Sequence, residues 1–152
     1  MVKNLLWPDE ASTKAFAQRL AHQPEFAQAF IALHGNLGAG KTTLARYLLQ
    51  AIGVQGRIKS PSYAIVESYE LPQGLAWHCD FYRFSDPREW EEAGFRDLFA
   101  SFGLKIVEWP EKAAGLLPTA DWDVKIEMLS ETARQVQITA NTPLGASLLQ
   151  AL

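Results

Sequence analysis

The sequence predicts an α/β fold in three layers, with a mixed parallel and antiparallel sheet between helices. Three observations lead to this prediction. A short apolar run at 30–33 is followed by a glycine-rich loop and then by apolar residues at helical spacing. Two pairs of strand-like segments are separated by turn residues, as in hairpins. Further helical segments are distributed among these units, an arrangement typical of α/β domains.

The first half of the chain supplies a helix and then the strand–loop–helix unit. Pro8-Asp9-Glu10 predicts the start of the first helix, whose apolar face is formed by Phe16, Ala17, Leu20 and Ala21. The strand at 30–33 comes next. The helix that follows the loop is expected to end at Gly53, because glycine is common just beyond a helix C-terminus.

The second half supplies two hairpins, short helices and one further strand. The hairpins are predicted over 63–71 with 75–80 and over 122–129 with 134–140. A helix that begins at Asp86-Pro87 is broken by Gly94. A strand over 104–108 is stopped by Pro110, and Thr142-Pro143 begins a last short helix.

Composition predicts one domain, spanning residues 1–152, that is large enough to bury a core. Hydrophobic residues make up 48% and charged residues 20%, which is ordinary for a soluble protein. No apolar stretch reaches the roughly 18 residues that a membrane span needs. Cys79 is the single cysteine, which favours a reducing, cytoplasmic location. The net charge of −3 argues against direct capture of nucleic acid by this chain alone.

Residues 35–42 match the phosphate-binding pattern G-x-x-x-x-G-K-[ST], with Gly35, Gly40, Lys41 and Thr42 at its fixed positions. Such a loop points backbone N–H groups at phosphate oxygens, while the lysine reaches the β- and γ-phosphates and the hydroxyl can bind Mg²⁺. The alternative is a glycine-rich turn before an amphipathic helix, which the preceding strand disfavours. The pattern therefore predicts binding of a nucleoside triphosphate.

Two acidic residues end apolar strands and are candidates to hold Mg²⁺ or its waters. Asp80 ends the strand at 75–80, and Glu108 ends the strand at 104–108. The alternative for each is a strand-end acid whose carboxylate is simply solvated. His78 shares a strand face with Asp80, so a metal pair is conceivable, but a histidine that orients a neighbour or packs is the favoured interpretation.

Two further features have a functional and a structural interpretation. Ser60 and Ser62 flank Pro61 in a loop beyond the helix, where a hydroxyl can sense a γ-phosphate or can serve turn chemistry alone. Trp109 follows Glu108 and is either a core residue or a functional surface residue.

Four motifs together resemble the TsaE (YjeE) family, small bacterial P-loop ATPases of the tRNA threonylcarbamoyladenosine (t6A) pathway. The resemblance runs from about Glu10 to Ile138. The glycine-rich motif alone indicates only that a nucleotide is bound. The last two of the four motifs, which contain His78 and Glu108, make the resemblance specific. The four motifs are Gly38-Ala39-Gly40-Lys41-Thr42-Thr43, Lys59-Ser60-Pro61-Ser62-Tyr63, His78-Cys79-Asp80-Phe81-Tyr82-Arg83 and Val107-Glu108-Trp109-Pro110-Glu111.

The resemblance implies a P-loop NTPase fold that uses ATP with Mg²⁺. Thr42 and Glu108 match the family's metal positions, whereas Asp80 and Trp109 match positions tied to hydrolysis. By the same resemblance, Lys41 is expected to bind the phosphates and to take part in catalysis. The remaining nucleotide-binding positions are Glu10 and Thr13 beside the adenine, Gly35, Gly38, Ala39, Gly40 and Thr43 at the phosphates, and Ser62 as the γ-phosphate sensor.

The resemblance also implies partners and a role. The partners are TsaB and TsaD, which transfer threonylcarbamoyl to adenosine 37 of tRNAs that read ANN codons. This chain would support their turnover through ATP hydrolysis and meet tRNA only through the complex. Asn36 replaces the family's usual acid and Ser62 its usual threonine. Ser62 keeps the hydroxyl, whereas Asn36 removes a charge beside the phosphates.

Other functions remain open at the level of the sequence. A small-molecule kinase would use the same loop but usually needs a lid with several arginines. The arginines after the P-loop helix are spread along the sequence, which predicts none beside the loop. A GTP switch is disfavoured because Asn-Lys-x-Asp and Asp-x-x-Gly are absent. A nucleotide-sensing module without turnover is disfavoured by the two acids.

Overall fold

A seven-stranded sheet runs through the computed structural model, which describes residues 1–61, 64–92 and 94–152. Its spatial order is β1-β7-β6-β2-β5-β4-β3. The strands are β1 (Val2–Trp7), β2 (Phe30–His34), β3 (Val66–Leu71), β4 (Gly74–Asp80), β5 (Leu104–Glu108), β6 (Trp122–Met128) and β7 (Arg134–Ala140).

Helices cover both faces of this sheet. They are α1 (Glu10–Ala21), α2 (Lys41–Ala51), α3 (Pro87–Glu92), α4 (Phe95–Ala100) and α5 (Pro143–Gln150), with 3-10 helices at Pro24–Gln28 and Pro110–Ala113. Phe16, Leu48 and Leu149 from α1, α2 and α5 pack in one core. Trp90 and Phe95 from α3 and α4 pack in a second core. The predicted three-layer α/β/α arrangement is therefore confirmed.

The sheet is mixed, as the sequence predicts. Both hairpins form, β3 with β4 and β6 with β7, and β1 adds to β7 in antiparallel fashion. At the centre, β2 is parallel to both β5 and β6, and β4 is parallel to β5. Because parallel strands end at the same edge, the loops after β2, β4 and β5 lie together. Asp80 and Glu108 are direct neighbours in the β4–β5 register.

Helix boundaries follow local chemistry. The Asp9 side chain caps α1 by accepting a hydrogen bond of 2.9 Å from the Ser12 backbone N–H. Gly94 separates α3 from α4 with φ 72°, a left-handed conformation that glycine adopts without strain. In the part of the chain that the structure describes, none of the helices has the length and apolar character required to cross a bilayer.

Two details of the predicted elements differ from the structure. The strand β1 is not predicted, because only Trp7 of its six residues is buried and its hydrophobic pattern is correspondingly weak. The strand predicted to start at residue 63 starts at Val66, and Tyr63 itself lies outside the described residues.

Candidate nucleotide-binding site

The glycine-rich loop joins the central strand β2 to the start of α2, as predicted. Gly38 and Gly40 have φ values of 80° and 113°, which residues with a side chain rarely adopt. At Gly35 (φ 155°) a Cβ atom would lie 2.7 Å from the Ile126 carbonyl oxygen, so the loop also needs a residue without one here. The first turn of α2 directs its free N–H groups into the loop, which favours an anion.

Lys41 is buried at the base of this loop, with 5% of its surface exposed. Its Nζ atom donates to the Gly35 carbonyl and, at 3.5 Å, to the Asn36 carbonyl. The same atom lies 3.7 Å from the centre of the Trp109 ring. Burial lowers the pKa of Lys41, and the negative charges of Glu108, Glu111 and Asp80 oppose this shift. The hydrogen-bond partners of Lys41 are neutral carbonyl groups. Phosphate oxygens can replace them, and their negative charge would then pair with the positive charge of Lys41.

Thr42, Glu108 and His78 form a continuous hydrogen-bonded chain. The Thr42 hydroxyl donates to Glu108 Oε1 at 2.7 Å, and His78 Nε2 lies 2.6 Å from Glu108 Oε2. Glu108 is 2% exposed and His78 is fully buried. The alternative of a solvated strand-end acid is therefore wrong for Glu108, because its carboxylate is buried and bound at both oxygens. The sequence favoured a histidine that orients a neighbour or packs, and here the neighbour is Glu108.

Asp80 is also buried, next to Glu108 on the adjoining strand, so it is not a solvated acid either. Its Oδ1 atom accepts a hydrogen bond of 2.9 Å from the Tyr82 backbone N–H. Its own backbone N–H donates to the Ile65 carbonyl at 2.8 Å. Ile65 has φ 68°, a strained conformation for a β-branched residue. The loop that carries Ser60 is thereby tied to Asp80, while Ser62 lies outside the described residues.

Trp109 lies partly buried at the mouth of the site. Its backbone is left-handed (φ 56°, ψ 49°), which is unusual for a residue with a side chain. Its ring is 5.0 Å from the ring of Tyr82 and covers Lys41. A backbone strained in this way at a functional site supports the interpretation as a functional residue over that of simple core packing.

One cavity of about 280 Å³ is lined by Lys41, Thr42, Asp80, Glu108 and Trp109. A second cavity of about 160 Å³ adjoins it and includes the predicted adenine-side residues Glu10 and Thr13. A larger cavity of about 560 Å³ lies at the back of the loop, but Lys41, Thr42 and Glu108 do not line it. The predicted site residues of the first cavity are Gly38, Ala39, Gly40, Lys41, Thr42, Thr43, Asp80, Glu108 and Trp109. Gly35 instead faces Lys41 through its carbonyl group.

Arg134 is a site residue that sequence reasoning missed. It lines both the first and the second cavity, and its Nε atom donates to the Ala39 carbonyl at 2.7 Å. Its Nη1 atom donates to three carbonyl groups of the β6–β7 turn, those of Ser130, Glu131 and Ala133. The prediction that no arginine lies beside the P-loop is wrong. Arg134 is far from the loop in sequence and reaches it only because β7 lies near β2 in the sheet.

The oxygen atoms of Thr42 and Glu108 fit a Mg²⁺ ion, which prefers hydroxyl, carboxylate and phosphate oxygens. Within the described residues, no group of three or more His, Cys, Asp and Glu side chains is arranged to hold a metal by itself. The conceivable His78–Asp80 metal pair gains no support, because His78 is engaged by Glu108.

Comparison with known proteins identifies a family. The family model described as "Threonylcarbamoyl adenosine biosynthesis protein TsaE" matches residues 7–136. A Haemophilus influenzae protein named "tRNA threonylcarbamoyladenosine biosynthesis protein TsaE" is 42% identical over 95% of this chain and 93% of its own. A Bacillus subtilis protein of the same name is 31% identical over 91% of this chain and 87% of its own.

A solved structure extends the similarity to three dimensions. The crystal structure of Bacillus subtilis YdiB superposes with a TM-score of 0.77 at 27% identity, covering 99% of this chain and 94% of that one. The sheet and its helices are therefore arranged as in a known protein along almost the whole length of this chain.

Proposed function

The chain belongs to the TsaE family of t6A tRNA biosynthesis, and we propose that it acts there as an ATP-binding and ATP-hydrolysing component. Its hydrolysis would support turnover of a TsaB–TsaD complex. One observation carries the proposal: Lys41, the Thr42–Glu108 pair and Asp80 all open on the same cavity at the start of α2. These groups are a cation, a metal-binding pair and a second carboxylate, which is the set that phosphoryl transfer to water requires.

ATP would bind with its phosphates in the first cavity and its base toward the second. Lys41 would leave the loop carbonyls for the β- and γ-phosphate oxygens, and the N–H groups of the loop would donate to the same phosphates. Glu10 and Thr13 line the second cavity, in support of their assignment to the adenine side. Tyr47 donates to Glu10 Oε2 at 2.9 Å and thereby restrains that side chain.

Mg²⁺ would be held by the Thr42 hydroxyl and the Glu108 carboxylate, and when bound it neutralises charge on the phosphate oxygens. The protein's own part is to fix these two oxygens before nucleotide arrives. Their hydrogen bond of 2.7 Å does so, since Thr42 and Glu108 lie on different elements and are otherwise independent.

Asp80 would position the attacking water and accept its proton. It lies at the same edge of the sheet as Glu108, and its Oδ1 atom is held by the Tyr82 N–H. Glu108 is already engaged at both oxygens by Thr42 and His78. The pairing of Glu108 with the Thr42 hydroxyl at the start of α2 supports the division of roles in which Glu108 serves the metal and Asp80 serves the water.

Replacing the two acids separates these roles. With TsaB and TsaD present, Asp80→Asn is expected to lower ATP turnover about tenfold while nucleotide affinity changes less than about twofold, because water positioning acts on the transition state. Glu108→Gln is expected to weaken nucleotide binding in Mg²⁺ and leave binding in EDTA unchanged. Steady-state hydrolysis and calorimetry measure these effects, and t6A formation on tRNA should fall in parallel.

Glu70→Gln on β3 is the matched control, since it removes an acid outside the two cavities. Wild-type hydrolysis and t6A formation by both Asp80→Asn and Glu108→Gln would show that the acids are structural and would refute the proposal. Consumption of ATP only when a small-molecule acceptor is added would instead identify a kinase.

Arg134 is expected to contribute to nucleotide affinity through its charge and its hold on the loop. Arg134→Met should weaken ATP binding about fivefold, because it removes a cation from the cavity and frees the Ala39 carbonyl. Arg134→Lys should recover only part of the loss, since lysine lacks the planar fork that binds several carbonyls. Calorimetry with ATP measures both.

The control for Arg134 is the same substitution at Arg88 on α3, which pairs with Asp86 just before that helix and lines neither cavity. Equal ATP affinity for Arg134→Met and Arg88→Met would show that Arg134 only supports the β6–β7 turn.

A further inference from the structure

His78 is a fully buried histidine whose two ring nitrogens have different surroundings. Nε2 lies 2.6 Å from Glu108 Oε2. Nδ1 has no hydrogen-bond partner among the residues that the structure describes. We therefore expect Nε2 to carry a proton and to donate it to Glu108, because the tautomer with a proton on Nδ1 alone would leave that buried N–H without a partner among the described residues and direct a lone pair at a carboxylate.

This contact completes the restraint on Glu108. Oε1 accepts from Thr42 on α2, and Oε2 accepts from His78 on β4, so the carboxylate is fixed from two elements. His78 and Asp80 are two residues apart on β4, while Asp80 and Glu108 are register neighbours, so all three side chains share one face of the sheet. The ring thus meets the carboxylate oxygen of Glu108 that Thr42 does not contact.

We propose that His78 is a positioning residue for the Mg²⁺ site: it holds Glu108 in the rotamer that presents Oε1 to Thr42. This inference rests on the proposed function. His78 touches neither of the two nucleotide-side cavities, so it acts only through Glu108.

A packing role does not account for the arrangement. A buried nitrogen without a partner costs free energy, which a leucine or phenylalanine at this position would avoid. The position is nevertheless occupied by a residue whose Nδ1 has no partner in the described part of the chain, while its Nε2 contacts Glu108. The gain lies in the conformation of Glu108, since a carboxylate free to rotate would lose entropy on binding the metal.

The test compares His78→Leu with His78→Gln. Leucine keeps the apolar volume and removes the donor, whereas the glutamine side-chain amide can place an N–H where Nε2 lies. ADP affinity is measured by calorimetry for each variant in Mg²⁺ and in EDTA, and the ratio of the two affinities reports the metal contribution. Thermal unfolding is recorded in parallel.

We expect His78→Leu to lower this ratio about fivefold, with the affinity in EDTA unchanged, because only the metal-dependent part uses Glu108. His78→Gln should keep the ratio within about twofold of the wild type. An unchanged ratio in His78→Leu would overturn the proposal. Equal losses in Mg²⁺ and in EDTA would also overturn it, since they indicate a general structural role.

A second measurement needs no nucleotide and no substitution of His78. Nitrogen NMR on histidine-labelled wild-type protein distinguishes the protonated ring nitrogen at each of the three histidines. We expect His78 to carry its proton on Nε2, and Glu108→Ala to abolish this preference. A ring with its proton on Nδ1 and none on Nε2 in the wild type would overturn the proposal even if the variants fail to fold. If the wild type binds no ADP at all, the proposed function fails, whereas the NMR result still decides the His78–Glu108 contact.

Discussion

Lys41→Ala is expected to reduce ATP affinity at least about tenfold, equivalent to about 1.4 kcal/mol. The reason is the position of Lys41 at the base of the loop, where its charge is buried and its partners are neutral carbonyl groups and the Trp109 ring. Because the same charge also meets the γ-phosphate as it is transferred, turnover at limiting ATP should fall further, by about a hundredfold. Calorimetry and steady-state hydrolysis measure the two effects.

Lys112→Ala is the matched control for Lys41. It removes an equal charge near the mouth of the site, where its Nζ atom lies 5.9 Å from the Tyr82 ring, but it does not line the first cavity. Its ATP affinity should stay within about twofold of the wild type. Unchanged affinity in Lys41→Ala would disprove phosphate binding at this loop. An equal loss in both variants would show that net charge, and not the position of Lys41, drives binding.

The sequence was sufficient for the central part of the fold because its signals there are local. The strand, the glycines and the helix of the P-loop unit lie within about twenty consecutive residues and have fixed chemistry. Asp80 and Glu108 could be selected because each directly ends an apolar run. Once β4 and β5 are parallel neighbours, this position alone brings the two acids to one edge of the sheet.

The missed features depend on contacts between distant parts of the chain. Among the strands that the structure describes, β1 is an edge strand with β7 as its one neighbour. Its hydrophobic pattern is weak, and the pairing from Val2↔Thr139 to Trp7↔Arg134 holds this segment as a strand. Arg134 likewise reaches the loop through the place of β7 in the sheet, 95 residues from its partner Ala39. No local pattern encodes such a contact, because the position of β7 is set by the assembled sheet.

His78 was predicted from the sequence in part, since its place on the strand was predicted and its partner was not. Its spacing from Asp80 correctly indicated a shared face, and the preference for a histidine that orients a neighbour or packs, over a metal ligand, stays a prediction. The identity of its partner could not be predicted, because Glu108 lies 30 residues away and meets His78 only across the β4–β5 pair.

Hydrolysis by the isolated chain is expected to be slow and to rise at least about a hundredfold when TsaB and TsaD are added. Arg134 is beside the P-loop, but its Nε and Nη1 atoms are occupied by carbonyl groups of the loop and the β6–β7 turn. A partner can supply a further cation to the γ-phosphate, an effect worth roughly 10³–10⁵ in rate. Leu37 and Tyr82 at the cavity mouth are exposed by 70% and 44%, which provides apolar surface for a partner.

Trp109 is the residue through which such a partner is expected to act. Its ring covers Lys41 and contacts Tyr82, so a protein that moves the ring also frees the lysine for phosphate. Trp109→Ala should therefore lose most of the stimulation by TsaB and TsaD, while Trp109→Phe, which keeps an aromatic ring over Lys41, should retain most of it. Steady-state ATP hydrolysis with and without both partners measures the ratio for each variant. Equal rates for the wild-type chain alone and with its partners would refute activation, whereas full stimulation of Trp109→Ala would refute only the part assigned to the tryptophan.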